Sequence, residues 1–226
     1  MRDPNHIVLS RKLHNGHRKL KGVTIPMKTY CRFLAIAVLT VLAAMPAAAM
    51  ASGKYSTVNS SINLGDNTKA GNVDSVNGSI RIGANSFVKS VETVNGSIKL
   101  GNDVTVDEGV NAVNGSINLQ AGCEVGDDVT TVNGGVSLDD TRVAGDVETV
   151  NGSLKILDRS EVSGNVVVRK PGGWNFGKRK PVYVEIGKDV VVRGNLIFEQ
   201  PVELKLHDSA KVGEIIGDDV TVVGNS

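Results

Sequence analysis

A short motif that begins Val-Asn returns six times along this chain at nearly constant intervals. It reads VNSSI at 58–62, VNGSI at 76–80, 94–98 and 113–117, VNGGV at 132–136, and VNGSL at 150–154. Successive asparagines are 18, 18, 19, 19 and 18 residues apart. A fixed period of this size is typical of a solenoid, in which each repeat forms one turn of the chain.

The apolar residues of each unit follow a template of short strands. Counted from the Val of the motif as offset 0, they fall at offsets 0, 4, 6, 11 or 12, and 15, as in Val132, Val136, Leu138, Val143 and Val147. Gly, Asn and Asp recur too often for a helix, and a sandwich gives no reason for one fixed period. Stacked units bury apolar side chains that a single unit leaves exposed. We therefore expect an all-β fold, a single-stranded, right-handed parallel β-helix (β-solenoid) of about eight coils of 18–20 residues.

The repeat region covers residues 52–169, and a looser version of the pattern continues through residues 182–226. Residues 182–200 and 202–224 align with each other at a separation of 20 residues. The alignment predicts further coils and equates four apolar pairs, namely Val184/Leu204, Ile186/Leu206, Val190/Ala210 and Leu196/Ile216.

The repeated asparagine is a candidate structural residue. Asn tolerates the left-handed backbone conformation of a sharp corner, and its amide both donates and accepts hydrogen bonds. Stacked coils then predict an inward ladder in which each buried amide satisfies the next. Five of these sites also read N-x-[ST], a formal glycosylation acceptor, which we interpret as incidental to the repeat. The predicted ladder consists of Asn59, Asn77, Asn95, Asn114, Asn133 and Asn151.

The segment KPGGWNFGKRKP at 170–181 interrupts the repeat and predicts a loop extruded from one corner. Its aromatic and cationic side chains are of the kind that supply binding energy at interfaces. The alternative is that the two aromatic residues fold back as a cover over an apolar edge. The candidate partner-binding residues are Trp174, Phe176, Lys178, Arg179 and Lys180.

The titratable residues give little support for catalysis. The acid pairs Asp127-Asp128, Asp139-Asp140 and Asp218-Asp219 fall at predicted turns, and neighbouring residues of a strand point to opposite faces. Beyond residue 51 the chain holds a single histidine, His207, and a single cysteine, Cys123. We predict no catalytic, cofactor-binding or metal-binding residue, and no enzyme.

A row of outward side chains is expected at offset 5, where stacked coils would form a polar and partly basic stripe. Solvated strand faces commonly look like this, so we interpret the row as a solvated face rather than as a dedicated binding strip. Its members are Asn63, Arg81, Lys99, Asn118, Ser137 and Lys155.

The N-terminal region has the build of an export signal. An apolar run at 33–45 follows Lys28 and Arg32 and leads into small residues, with cleavage expected near Ala51. We assign residues 27–51 as the signal peptide, and residues 1–26 as a basic leader that a start at Met27 would exclude. The alternative is an uncleaved membrane anchor.

Charge bounds the partners of the chain. Residues 1–51 hold eight of the 25 Lys and Arg but one of the 24 Asp and Glu, so the remainder carries a net charge of about −6. That balance excludes the clustered basic face of a nucleic-acid partner, and no small-molecule substrate is expected.

The VNGSI-x-L-G repeats, with AGDVETV at 144–150 and SGNVVV at 163–168, resemble two groups of bacterial β-solenoids. One is an adhesin-type family of unknown function, and the other is the bactofilins, polymer-forming cytoskeletal proteins. The resemblance covers residues 56–224 and implies a noncatalytic scaffold. The apolar N-terminal run and the 170–181 loop depart from the bactofilins, which are typically cytoplasmic.

We expect a secreted structural or adhesin-like protein of the bacterial periplasm or cell surface. Its partner would be itself, through end-to-end assembly, or a glycan or protein of the cell envelope. The alternatives are a carbohydrate-binding or carbohydrate-processing β-helix and a polymer-forming scaffold of bactofilin type.

Overall fold

The computed structural model describes residues 53–172 and 180–223. Every regular element in these two ranges is a β-strand, 24 in all. They contain no helix long and apolar enough to cross a membrane. The predicted leader and signal peptide lie outside the described residues.

The strands form three parallel sheets that run the length of the molecule. Sheet A consists of β1 (Tyr55–Thr57), β3 (Asn72–Asn77), β6 (Ser90–Asn95), β9 (Val110–Asn114), β12 (Val129–Asn133), β15 (Val147–Asn151), β18 (Val166–Val168), β21 (Leu196–Phe198) and β23 (Ile215–Ile216). Sheet B consists of β2 (Ile62–Leu64), β4 (Ile80–Ile82), β7 (Ile98–Leu100), β10 (Ile117–Leu119), β13 (Val136–Asp139), β16 (Leu154–Leu157), β19 (Val182–Ile186), β22 (Val202–Leu206) and β24 (Val220–Val223). Sheet C consists of β5 (Phe87–Val88), β8 (Thr105–Val106), β11 (Glu124–Val125), β14 (Arg142–Val143), β17 (Glu161–Val162) and β20 (Val191–Val192).

Each turn of the chain places one strand in sheet A and then one in sheet B, which confirms the predicted parallel β-solenoid. We number the turns as coils 1 to 9, after the nine strands of sheet A, against the eight or so expected. The repeat sets the register, because Asn77, Asn95, Asn114, Asn133 and Asn151 stand opposite one another in sheet A.

The core is a column of aliphatic side chains enclosed by the three sheets. Offsets 4, 6, 11 or 12, and 15 point inward as predicted, for example Val136, Leu138, Val143 and Val147, each at most 1% exposed. The Val at offset 0 is an exception to the predicted template. In β3 the buried residues alternate with less buried ones, so that the Val of the motif, Val76, takes an outward position.

The left-handed backbone lies at a different corner from the one predicted. Positive φ angles occur at Asn67 (57°), Asn85 (54°) and Asp103 (55°), eight residues after a ladder asparagine, in the turn between sheets B and C. The Asn and Gly of the repeated motif are not among the positive-φ residues of the described chain. Asn and Asp do tolerate this conformation, but they supply it at the far end of the sheet B strand.

The last coil departs from the predicted alignment by one residue on one side. Val184 pairs with Leu204 and Ile186 with Leu206, as expected. Leu196, however, pairs with Ile215 rather than with Ile216. Coil 9 is therefore one residue shorter at the corner between sheets C and A.

Candidate functional site

The six asparagines of the motif form a continuous ladder at the corner between sheets A and B. Each Nδ2 donates to the Oδ1 of the asparagine one coil before it, at 2.8 to 3.0 Å. The ladder is exposed, so the prediction of an inward, buried ladder was wrong. The amides satisfy one another along the solenoid axis and need no contact with the core. The same exposure removes burial as the reason for discounting the glycosylation pattern.

The glycine of the motif allows the backbones of successive coils to approach closely. A Cβ built on Gly96 would lie 2.2 Å from the carbonyl oxygen of Gly78, and one on Gly115 would lie 1.9 Å from that of Gly96. Such separations are far inside van der Waals contact. Glycine is required here for space, rather than for a left-handed conformation.

The serine of the motif adds a second chain of contacts beside the ladder. The backbone N–H of Ser97 donates to the Oγ of Ser79 at 3.2 Å, and that of Ser116 donates to the Oγ of Ser97 at 3.4 Å. Every polar residue of the motif is thus engaged in joining one coil to the next.

A row of buried hydroxyl groups lies inside the same corner, and our sequence reasoning missed it. Thr93 Oγ1 donates to the carbonyl of Gly78 at 3.0 Å, and Thr131 Oγ1 to that of Gly115 at 3.0 Å. Ser75 and Thr149 make the equivalent bonds. The signal was present as a Ser or Thr two positions before the asparagine, within an otherwise apolar strand.

The insertion at 170–181 leaves the solenoid at this corner in coil 7, as predicted. Trp174, Phe176, Lys178 and Arg179 lie outside the described residues, and Lys180 is exposed at its edge. A cleft of about 530 Å³ lies at the base, lined in part by Asn151, Pro171 and Tyr183.

Gln200 replaces the asparagine ladder behind this cleft. Its Nε2 donates to the carbonyl of Val150 at 2.6 Å and to that of Arg169 at 2.8 Å. Gln200 is only 8% exposed. The amide therefore closes the corner where the motif has ended.

The acid pairs do not converge. Asp128 Oδ1 accepts from the backbone N–H of Asp146 at 2.7 Å, so it joins coils at the corner between sheets C and A. Asp140 pairs with Arg159 at 3.1 Å on the surface. Within residues 53–172 and 180–223 no group of three or more His, Cys, Asp or Glu side chains is placed to hold a metal ion.

Cys123 and His207 both have local partners. Cys123 is 1% exposed, its Sγ donates to the carbonyl of Gly101 at 3.0 Å, and burial raises the pKa of its thiol. A buried thiol with a raised pKa is a poor nucleophile. The Nδ1 of His207 is 2.9 Å from Ser209 Oγ.

The outward row predicted at offset 5 is present on sheet B. Asn63 pairs with Arg81, Arg81 with Lys99, and Lys99 with Asn118, which places their side chains on one line. A shallow groove of about 430 Å³ follows this line, between Arg81 and Lys99 on one side and Asp66 on the other. Arg81 and Lys99 make no ion pair with any residue of the described chain.

Sheet A carries an outward row of opposite charge. Asp74 and Glu92 are paired neighbours in coils 2 and 3, and Lys54 Nζ approaches Asp74 at 3.6 Å. Burial raises the pKa of both carboxyls, and the charge of Asp74 raises that of Glu92 further. Glu148, in coil 6, bonds to Arg169.

None of three comparisons, with protein-family models, with curated proteins and with solved structures, finds a match for this chain.

Proposed function

We propose that the chain is a noncatalytic structural or adhesive β-solenoid, exported to the periplasm or the surface of a bacterial cell. The observation that supports this most directly is the use of the repeated motif. Its Asn, Gly and Ser all join successive coils, and the same corner is repeated through coils 1 to 6. Conserving one interior corner over a long body yields extended flat faces, which suit a scaffold better than a reaction centre.

Export is tested on the full chain carrying a C-terminal tag in a Gram-negative host. We expect the tagged protein in the periplasm or on the surface, with a mature N-terminus near residue 52. The variant Leu39→Arg/Leu42→Arg places charges in the apolar run and should leave the protein in the cytoplasm. Cytoplasmic retention of the unaltered chain would contradict the proposal.

The absence of catalysis is tested separately on purified protein with a panel of polysaccharides. We expect no release of reducing ends from any of them. Turnover of a polysaccharide would replace the proposal with the carbohydrate-processing alternative, whereas binding without turnover would support an adhesive role.

A second candidate function, end-to-end polymerisation, is favoured by the last coil. Ile215 is 39% exposed and Val222 is 48% exposed, although their partners one coil earlier, Leu196 and Leu204, are fully buried. Coil 9 therefore presents inward-facing apolar side chains and an unpaired strand edge at the end of the described chain. A second copy would cover both.

Filament formation is tested by electron microscopy and sedimentation of the concentrated protein. Ile215→Lys/Val222→Lys should abolish end contacts. Ile216→Lys is the matched control, because Ile216 is 42% exposed in the same coil but belongs to the outward row. A wild-type chain that stays monomeric at high concentration would exclude this candidate.

A further inference from the structure

The outward rows of sheets A and B have matching charges, coil by coil. In each coil the row residue of sheet B follows that of sheet A by seven positions. Coil 2 sets Asp74 against Arg81, and coil 3 sets Glu92 against Lys99. Coils 4 and 5 are uncharged in both rows, and coil 6 again has an acid on sheet A and a lysine on sheet B, Glu148 and Lys155.

This pattern specifies one register. If two copies lie side by side with parallel axes and level coils, every acidic position of one row faces a basic position of the other. A shift by one coil leaves a single opposite-charge pair. Coils 2 and 3 carry the contact, because Glu148 in coil 6 already bonds to Arg169.

A second pair of rows fits the same arrangement. Between the charged row and the corner, sheet A presents the half-buried Val76 and Val94, while sheet B presents Ser79 and Ser97. Strands on facing surfaces run in opposite senses around the two copies. Placing Asp74 opposite Arg81 therefore also places Val76 opposite Ser79. A ridge of valines then meets a row of small side chains.

We infer that a second copy of this chain docks side by side, with the Asp74–Glu92 row of sheet A against the Arg81–Lys99 row of sheet B. This lateral contact goes beyond the proposed function and differs from end-to-end stacking. It is heterologous, so each added copy leaves one free sheet A face and one free sheet B face, and assembly continues until it closes.

Sheet C shows that the unpaired charges are a property of these two faces. On sheet C, Arg142 pairs with Glu124 at 2.9 Å and Arg193 pairs with Glu161, so its charges are neutralised within the chain. On sheet B, Arg81 and Lys99 are exposed neighbours without an acidic partner among the described residues. Complementary charge selects partner and register more than it adds affinity.

Burial of Asp74 and Glu92 is consistent with this contact. The raised pKa of each carboxyl reflects a charge that lacks full compensation in the single chain. An arriving guanidinium or ammonium group would lower both pKa values.

The test uses sedimentation velocity of the full chain in the Ile215→Lys/Val222→Lys background, which keeps end contacts out of the measurement. We expect reversible oligomers at about 20 mM salt and monomers at about 500 mM, because exposed ion pairs are screened. Arg81→Glu/Lys99→Glu should weaken association at least tenfold, and Asp74→Lys/Glu92→Lys should do the same. Circular dichroism checks that each variant folds.

Mixing the two charge-reversed variants supplies the decisive measurement. Each alone has two faces of like charge, but the mixture offers an acidic face for every basic one, so association should return. Lys188→Glu/Lys211→Glu is the matched control, with the same change in net charge at exposed positions outside both rows. It should associate like the wild type.

Three results would overturn the inference. They are a background protein that stays monomeric at low salt, a mixture that stays monomeric, or a control as defective as Arg81→Glu/Lys99→Glu. A monomer that binds polygalacturonate through Arg81 and Lys99 would instead assign the row to an anionic glycan. None of these outcomes bears on export or on the absence of turnover, so the proposed function is tested independently.

Discussion

Thr131 Oγ1 donates a 3.0 Å hydrogen bond to the backbone carbonyl of Gly115, a residue of the preceding coil. Thr131 is 2% exposed, so this bond lies within the body of the solenoid. It links the inner side of one corner to the glycine at which the next corner turns. The bond therefore joins coil stacking to corner geometry.

Thr131→Val should remove this bond while keeping the shape of the side chain. We expect the free energy of unfolding to fall by about 1–3 kcal/mol, because a buried carbonyl loses its partner. Urea denaturation followed by circular dichroism measures the change. Thr105→Val, at a half-buried outward position of sheet C, is the control and should change little. Equal losses in both variants would contradict the role of the hydroxyl row.

The hydroxyl row has a gap in coil 4, where Ala112 occupies the equivalent position. Ala112→Thr should fill it, because Thr93 and Thr131 already fit above and below. We expect a gain of about 0.5–1.5 kcal/mol in the free energy of unfolding, the contribution of a typical hydrogen bond. Ala112→Val adds the same bulk without the hydroxyl and should be less stable than the Thr variant. A Thr variant no better than the Val variant would refute the expectation.

Gly115→Ala should be poorly tolerated. The added Cβ would lie 1.9 Å from the carbonyl oxygen of Gly96, so the coils must separate locally. We expect a loss of about 1–3 kcal/mol, the usual scale of overpacking. Gly65→Ala is the matched control, since no heavy atom lies within 4 Å of its added Cβ. Thermal denaturation of both variants separates a steric cause from the general effect of losing a glycine.

Asn114→Ala should break two amide bonds of the ladder, at 2.9 Å to Asn95 and at 2.8 Å to Asn133. Because the ladder is exposed, water replaces part of what is lost, and we expect a decrease of about 1 kcal/mol. Asn118→Ala changes an exposed asparagine of the same coil outside the ladder. Its melting temperature should match the wild type, and a decrease as large as that of Asn114→Ala would assign the ladder no stabilising role.

Glu92 should make stability depend on pH. The pKa of its carboxyl in the folded chain is raised above the ordinary value of 4.5, so the folded state takes up its proton at a higher pH than the unfolded state. Stability is therefore lower above this pKa and increases as the pH falls through it. Glu92→Gln should raise Tm at pH 7 by about 1–3 °C and reduce the gain on acidification. Glu203→Gln, on an exposed side chain, should leave the pH profile unchanged when both are measured in dilute solution.

The period of the repeat was sufficient to predict parallel coils and most of the core. A strand alternates strictly, so Ile80 and Ile82 could be assigned inward from the pattern alone. The same pattern placed Val76 in the core, because Ser75 between two valines did not read as a core residue. Hydrogen bonding to the carbonyl of Ser60 makes that burial acceptable.

The corner was harder to predict than the strands. Asn followed by Gly is a common signal for left-handed backbone, yet here the Asn forms an axial ladder and the Gly makes room. Both roles depend on the neighbouring coil, so a single unit does not reveal them. Complementary rows such as Asp74 and Arg81 likewise become visible only when the coils are set in register.

The insertion in coil 7 separates chain length from strand register. Lys155 and Glu185 are paired neighbours although 30 residues separate them, while Glu185 and Lys205 pair at 20. The corner between sheets A and B thus accepts a peptide of arbitrary sequence while the flanking strands keep their partners. A binding epitope grafted at the corner of an earlier coil would be displayed at a height along the rod that the coil number sets.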